Sequence, residues 1–346
     1  MRVALYGYPQ SGRTTLLQAL AGHERLSQVV TVGVPDDRLE RLCADVGAKK
    51  CPPVGVEFSD DTPPMTPDGG KSGPTVADAL RRADAVAVVV REFTDPRVPW
   101  HAETDAERDY DAIQTEFLIH DLQLIERRLE RLEKEHAARQ PGTPEYLQKR
   151  VFAFLAEKVS EGAPIRALAI SDEENAVLRD FQFLSAKPLA VVVNCDEGDW
   201  ADRGWEERVR ASGIPVVRLC ATIERDLALM DETERQEFLS ALDIERSARD
   251  ALIRAVFEMF KLITFFTAGE KETKAWPLRS GSTVLKAADT IHSDIAKGFI
   301  RAEVIAWEDF DRLGSLEACR QGGKMRLEGK EYVVQDGDVV NVRHKS

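Results

Sequence analysis

Residues 7–15 read Gly7-Tyr8-Pro9-Gln10-Ser11-Gly12-Arg13-Thr14-Thr15, between an apolar run, Val3-Ala4-Leu5-Tyr6, and a helix-forming stretch, Leu16-Leu17-Gln18-Ala19-Leu20. That order predicts a strand, a glycine turn and a helix. The spacing Gly-x4-Gly-Arg-Thr is that of a phosphate-binding loop. There, backbone N–H groups surround a β-phosphate at a helix N-terminus, and the Thr hydroxyl reaches Mg²⁺. Gly7, Ser11, Gly12, Arg13, Thr14 and Thr15 are therefore candidate nucleotide-binding residues, Arg13 for phosphate charge and Thr14 also as a metal ligand. One letter departs. Where the pattern asks for Lys, this chain has Arg13, a longer planar fork that fills a different volume. A tight turn with no ligand is the alternative reading of the same residues.

The downstream pattern agrees with such a loop. Pro53-Val54-Gly55-Val56-Glu57-Phe58 is a second strand candidate and leads to Asp60, a candidate Mg²⁺ partner through water. The stretch 61–74 is too rich in Pro and Gly for regular structure. Ala85-Val86-Ala87-Val88-Val89-Val90 and Pro188-Leu189-Ala190-Val191-Val192-Val193 read as strands buried on both faces, so a parallel sheet with helices on both sides is expected. The second delivers Asn194-Cys195-Asp196-Glu197 at its C-terminal end, where open α/β sheets bind ligands. Guanine-binding proteins carry Asn-Lys-x-Asp there. Glu197 at the Asp position displaces the carboxylate and favours an adenine nucleotide, ATP or ADP. A further strand over 216–222 would bring Cys220 and Ala221 beside the base, and a long helical segment over 232–261 would pack back on the sheet.

Between about 104 and 139 the periodicity changes. Leu118, Leu122, Ile125, Leu129 and Leu132 make a heptad seam, and Leu147, Val151, Phe154 and Leu155 supply a matching stripe after Gln140-Pro141-Gly142-Thr143-Pro144. An antiparallel helical hairpin inserted into the α/β pattern follows. From Leu262 onward short strands surround a single helix over 284–294, with a turn at Asp336-Gly337-Asp338. This is a β-grasp arrangement. Lys297, Arg301, Lys324 and Arg326 could form a local patch there, or a solvated face with no partner.

Composition narrows the function classes. The net charge of −13 disfavours indiscriminate nucleic-acid binding, so any RNA contact needs such a patch. The sequence predicts no membrane span and no export signal. The five cysteines contain no C-x-x-C pair, which argues against zinc and for a reducing, cytoplasmic setting.

Together these residues resemble the YchF group of Obg-like P-loop ATPases across nearly the whole chain. The segments FFTAGEKETKAWPLRSGST, IHSDIAKGFIRAEVIAWEDF and RLEGKEYVVQDGDVV look like the family's TGS domain, and DLQLIERRLERL matches its hairpin. The resemblance implies a nucleotide-binding domain over 1–103 and 186–261, a hairpin over 104–185 and a TGS-like domain over 262–346. It also implies preference for ATP over GTP through Asn194 and Glu197, and association with ribosomes. The departures lie in the catalytic parts: Arg13, a shortened switch I loop, and Asp60-Asp61-Thr62-Pro63 in place of Asp-x-x-Gly. Proline has no N–H for a γ-phosphate, so hydrolysis is expected to be weak or absent. A slow ATPase using Arg13, and a scaffold with no nucleotide, are the other readings.

Overall fold

The two valine-rich runs form the centre of the molecule. In the computed structural model, which describes residues 1–22, 27–66, 74–100, 102–241 and 247–345, the strands they form are buried at every position. The first sheet contains β1 (Arg2–Tyr6), β2 (Val29–Gly33), β3 (Gly55–Ser59), β4 (Ala85–Arg91), β5 (Leu189–Asn194) and β6 (Val216–Leu219), in the order β2-β3-β1-β4-β5-β6. From β3 to β6 neighbouring strands are parallel, as valine-rich strands covered on both faces require. Helix α1 (Arg13–Ala21) follows β1 directly. The chain divides into two compact units, Met1–Thr31 with Glu57–Leu252, and Val32–Val56 with Ile253–Ser346.

In the first unit α3 (Pro74–Arg82) precedes β4; α2 (Asp37–Val46) belongs to the second. Ile113 and Phe117 of α4 (Ala106–Lys134) join Val86, Val88, Val90, Val191 and Val193 in one core, with Phe117 stacked on Tyr6 at 5.8 Å. The same helix runs on into an antiparallel hairpin with α5 (Pro144–Ser160), started by Thr143 as an N-cap and Pro144 at the first turn. Its core holds Ile125, Val151, Phe152, Leu155 and Val159. Phe154, expected in that stripe, is instead 42% exposed, and Phe152 takes the buried place. The antiparallel return sets which face of α5 meets α4, and Phe152 lies one residue from Val151 on that face.

The hairpin is anchored by Asp121, fully buried on α4, whose carboxylate accepts hydrogen bonds from Leu184 N at 2.9 Å and Ser185 N at 2.7 Å. These residues lead into β5. The helical stretch expected over 232–261 is two helices, Glu232–Ala241 and Ala248–Met259, with 242–246 outside the described residues. Glu224 starts the second of them. Its carboxylate accepts from Ser247 Oγ (2.6 Å), Ala248 N (2.9 Å) and Arg249 N (3.1 Å), placing negative charge at a helix N-terminus. Replacing Glu224 by alanine should remove about 2 kcal/mol of stability, read as a lower chemical-denaturation midpoint, because three half-buried donors at a helix start lose their shared acceptor. A midpoint equal to that of the unaltered chain would contradict this.

In the second unit β7 (Leu262–Thr267), β8 (Lys274–Arg279), β9 (Phe299–Ile305), β10 (Arg326–Glu328) and β11 (Val339–His344) form a mixed sheet in the order β10-β9-β11-β7-β8. Helix Val284–Ile291 packs on it through Val284, Ala287 and Ala288, the expected β-grasp arrangement, but the single helix expected over 284–294 is broken at the extended His292, after which Ser293–Lys297 forms a second, and Trp307–Leu313 and Leu316–Gln321 are further helices. Residues 331–334 make only one bridge, Thr283 to Val333; Tyr332 donates to Asp338 at 2.7 Å and closes the turn before β11. Three of the four basic residues have acidic neighbours: Lys297 pairs with Asp294, Lys324 with Asp309 and Arg326 with Glu328, while Arg301 is exposed on β9. The cysteines also depart from expectation. Cys43 and Cys51 are joined, with Cα atoms 6.3 Å apart, and Cys195, Cys220 and Cys319 are free and buried. Gly47, in the left-handed region at φ 63°, turns the chain after α2 and brings Cys51 back towards Cys43, which spacing alone does not reveal.

Candidate nucleotide site

The site is built at the C-terminal ends of β1, β4, β5 and β6, all in the first unit. The turn after β1 is forced close to its neighbours. A Cβ on Gly7 would lie 2.3 Å from the Val89 carbonyl oxygen, and one on Gly12 would lie 2.1 Å from Asn194 Nδ2. Gly12 also occupies the left-handed region at φ 96° as the N-cap of α1, and no side chain caps that helix. Its first turn therefore presents N–H groups without a side-chain acceptor, the condition under which a helix N-terminus receives an anion.

Asn194 holds this turn in place. It is 5% exposed; its Nδ2 donates to Ser11 O at 3.0 Å and its Oδ1 accepts from Ala221 N at 3.0 Å. One side chain thus ties the glycine turn to the loop after β6. A cavity of about 740 Å³ opens over it, lined by Gly12, Arg13, Thr14, Thr15, Asn194, Cys220 and Ala221 from the expected residues. Gly7, Ser11 and Asp60 are not on its wall, and neither is Glu197, which is exposed. Two wall segments carried no signal in the sequence reading. One is Asp196; the other is the loop after β4, Phe93 to Val98. That loop is ordered by Arg91, which donates to Phe93 O (3.0 Å) and Val98 O (3.2 Å) and stacks on Phe93 and Trp100 at 4.1 and 4.8 Å. A buried arginine ending an apolar strand, followed within ten residues by two aromatics, is the signal that could have exposed it.

Arg13 does not extend freely into this space. Its Nη1 donates to Thr62 O at 3.1 Å and Leu5 O at 3.5 Å and lies 3.4 Å from Asp60 Oδ1. Burial lowers its pKa from the ordinary value, with Asp60 acting in the opposite sense, yet a guanidinium stays charged. Beside it Thr14 Oγ1 donates to Asp60 Oδ2 at 2.7 Å. The Arg13–Asp60–Thr14 arrangement links the glycine turn to the chain after β3, where Met65 N also donates to Gly7 O at 3.1 Å. Among the described residues, buried Ser11 Oγ and Thr62 Oγ1 have no hydrogen-bond partner. Burial pushes the thiol of Cys195 up to about 11, so it is a neutral wall atom and no nucleophile at pH 7.

Comparison with known proteins bears on this geometry. The family model YchF-GTPase_C, described as a protein of unknown function (DUF933), matches residues 262–345. The ribosome-binding ATPase YchF of Bacillus subtilis is 34% identical over 99% of this chain and 99% of its own. The chain belongs to the YchF family. The ribosome-binding ATPase YchF of Haemophilus influenzae is 35% identical over 99% of this chain and 98% of its own. The YchF GTPase structure from Schizosaccharomyces pombe superposes with a TM-score of 0.88 at 26% identity, covering 99% of this chain and 97% of that one. The P-loop fold with a hairpin insertion and a C-terminal α+β domain is thus that of YchF proteins from end to end.

The uncapped helix start and left-handed Gly12 fit a diphosphate. Thr14 and Asp60, 2.7 Å apart, are the residues that would hold Mg²⁺ on one side, the phosphates supplying the other. Mg²⁺ when bound neutralises phosphate charge.

Proposed function

We propose that this chain binds an adenine nucleotide, ATP or ADP with Mg²⁺, in the cavity over Gly12, hydrolyses it weakly or not at all, and regulates translation by associating with ribosomes in the cytoplasm. The observation that carries the reading is the uncapped N-terminus of α1 with Gly12 at φ 96°, opening on a cavity large enough for a nucleotide. Weak hydrolysis is supported by Arg13, whose guanidinium is engaged with Thr62 O and Asp60, and by Pro63, which has no N–H to offer a γ-phosphate. Ribosome association is supported by curated relatives named ribosome-binding ATPases, with the hairpin and the C-terminal TGS-like sheet as contact surfaces.

Calorimetric titration of the full chain with ATP, ADP and GTP, each with Mg²⁺, tests the first part. ATP and ADP should bind, and GTP should bind at least about tenfold more weakly, a difference of about 1.4 kcal/mol. No heat with any nucleotide at about 1 mM would overturn the pocket, since that limit corresponds to about −4 kcal/mol. Steady phosphate release that disappears in Arg13→Ala would instead establish a slow ATPase. Co-sedimentation with ribosomes, with and without nucleotide, tests the partner.

A further inference from the structure

The short segment after β3 is tied to the glycine turn by groups of the chain itself. Arg13, the first residue of α1, commits its guanidinium to the main chain: Nη1 donates to Thr62 O at 3.1 Å and to Leu5 O at 3.5 Å, and lies 3.4 Å from Asp60 Oδ1. Thr14 Oγ1 donates to the other oxygen of Asp60 at 2.7 Å, Met65 N to Gly7 O at 3.1 Å, and Asp60 N to Gln28 O at 2.8 Å. Thr62 and Met65 are 3% and 5% exposed, and Pro63 and Pro64 between them restrict the backbone further. We propose that Arg13 is an internal clamp on residues 60–65, which fixes this segment in one position whether a di- or a triphosphate occupies the cavity. The site then accepts either, and the segment does not report which is bound. The part concerning nucleotides rests on the reading of the cavity as a nucleotide site; the clamp does not.

Nucleotide-dependent switch segments are ordered by contacts to the γ-phosphate and released on hydrolysis. A ligand shifts such an equilibrium only by its differential affinity for the two positions. Two groups that would supply that difference are missing or spent here: Pro63 has no N–H for a third phosphate, and the cation standing where the pattern places Lys is engaged with Thr62 O. The residue type matters. A lysine side chain is shorter and ends in a point charge, whereas a guanidinium carries several N–H groups on a planar fork and serves carbonyls and a carboxylate together. Hydrogen bonds from a charged donor are the stronger kind, so the loss of this one side chain loosens the segment measurably.

Amide hydrogen exchange of the full chain, read at Asp60 and Met65, tests both parts. Without nucleotide, Arg13→Ala should speed exchange at these two amides by about 10- to 100-fold, as expected for a lost hydrogen bond from a charged donor, while the amides of β5 keep their rates. Arg13→Lys, shorter and without the fork, should recover only part of the protection. In the unaltered chain the rates with Mg²⁺ and ADP and with Mg²⁺ and a non-hydrolysable ATP analogue should agree within about twofold, and calorimetry should give affinities within about tenfold of each other. Exchange in Arg13→Ala within about threefold of the unaltered chain would overturn the clamp, as would an acceleration shared equally by β5, which would assign Arg13 to global stability. Rates at Asp60 or Met65 that differ more than about tenfold between the two nucleotides would show that the third phosphate still moves the segment, and would overturn the proposal in that part. Failure of either nucleotide to bind would overturn the nucleotide reading, while the comparison of the chains without ligand still decides the clamp.

Discussion

Replacing Gly12 by alanine will abolish measurable nucleotide binding while the chain still folds. Two costs combine at this position. A non-glycine residue at φ 96° carries a backbone penalty of about 1–2 kcal/mol. The new methyl would also lie 2.1 Å from Asn194 Nδ2, a distance that forces the amide to move. Moving it breaks the bonds to Ser11 O and Ala221 N, each worth about 1 kcal/mol and more when a buried partner is left unsatisfied. Because the N–H groups that would meet a phosphate belong to this same turn, the strain falls where affinity is generated. A loss of at least about 100-fold in ATP affinity is expected, equivalent to about 2.7 kcal/mol. Calorimetry gives the affinity, and far-ultraviolet dichroism verifies the fold. Affinity within about threefold of the unaltered chain would show that the turn relaxes without cost.

The largest loss of stability is expected from Asp121→Ala. The carboxylate is fully buried and accepts two backbone N–H groups, from Leu184 and Ser185. Hydrogen bonds to an ionised acceptor contribute about 1.5–3 kcal/mol each, so removal of both should cost about 3–5 kcal/mol, part of it from leaving two buried donors unpaired. Chemical denaturation of the two chains measures the difference; a loss under about 1 kcal/mol would refute the anchoring role. The same residue gives a pH signature. Burial raises the folded-state pKa of Asp121, opposed by its hydrogen bonds to Ser185 and Leu184. Between the ordinary carboxylate value and that raised value the folded state binds the proton that the unfolded state has released. Stability from this group is therefore complete below the unfolded pKa and lost as pH rises through the folded one. Relative to Asp121→Asn, which does not titrate, the unaltered chain should gain stability as pH falls through that window. The opposite slope would mean that the two N–H bonds outweigh desolvation.

The parts of this molecule that were legible in the sequence are those governed by local rules. Gly7 and Gly12 could be placed because only glycine permits the approaches to Val89 O and Asn194, and the valine runs could be placed because burial on both faces leaves no alternation to misread. Phe154 was misassigned because heptad spacing identifies a seam but not the rotation of the second helix against the first. Arg13 announced itself as a departure, but its bond to Thr62 O joins residues 49 positions apart, which no local pattern encodes. Asp196 and the Phe93 loop were invisible for the same reason: the wall they make exists only once β4 and β5 lie side by side.

Residues 32–56 lie in the compact unit that holds the C-terminal sheet. Within that unit Arg38 donates to Asp336 and stacks at 5.4 Å on Phe266, Arg41 pairs with Asp311 and lies 5.1 Å over Trp307, and Thr273 N donates to Lys50 O at 3.0 Å. A fragment excised at Leu262, where the family model begins, would leave all of these partners behind. It would begin life with Asp336 and Asp311 stripped of their guanidinium partners, two bared aromatic faces and an open strand edge, so the natural excision unit is discontinuous and joins residues 32–56 to the C-terminal segment.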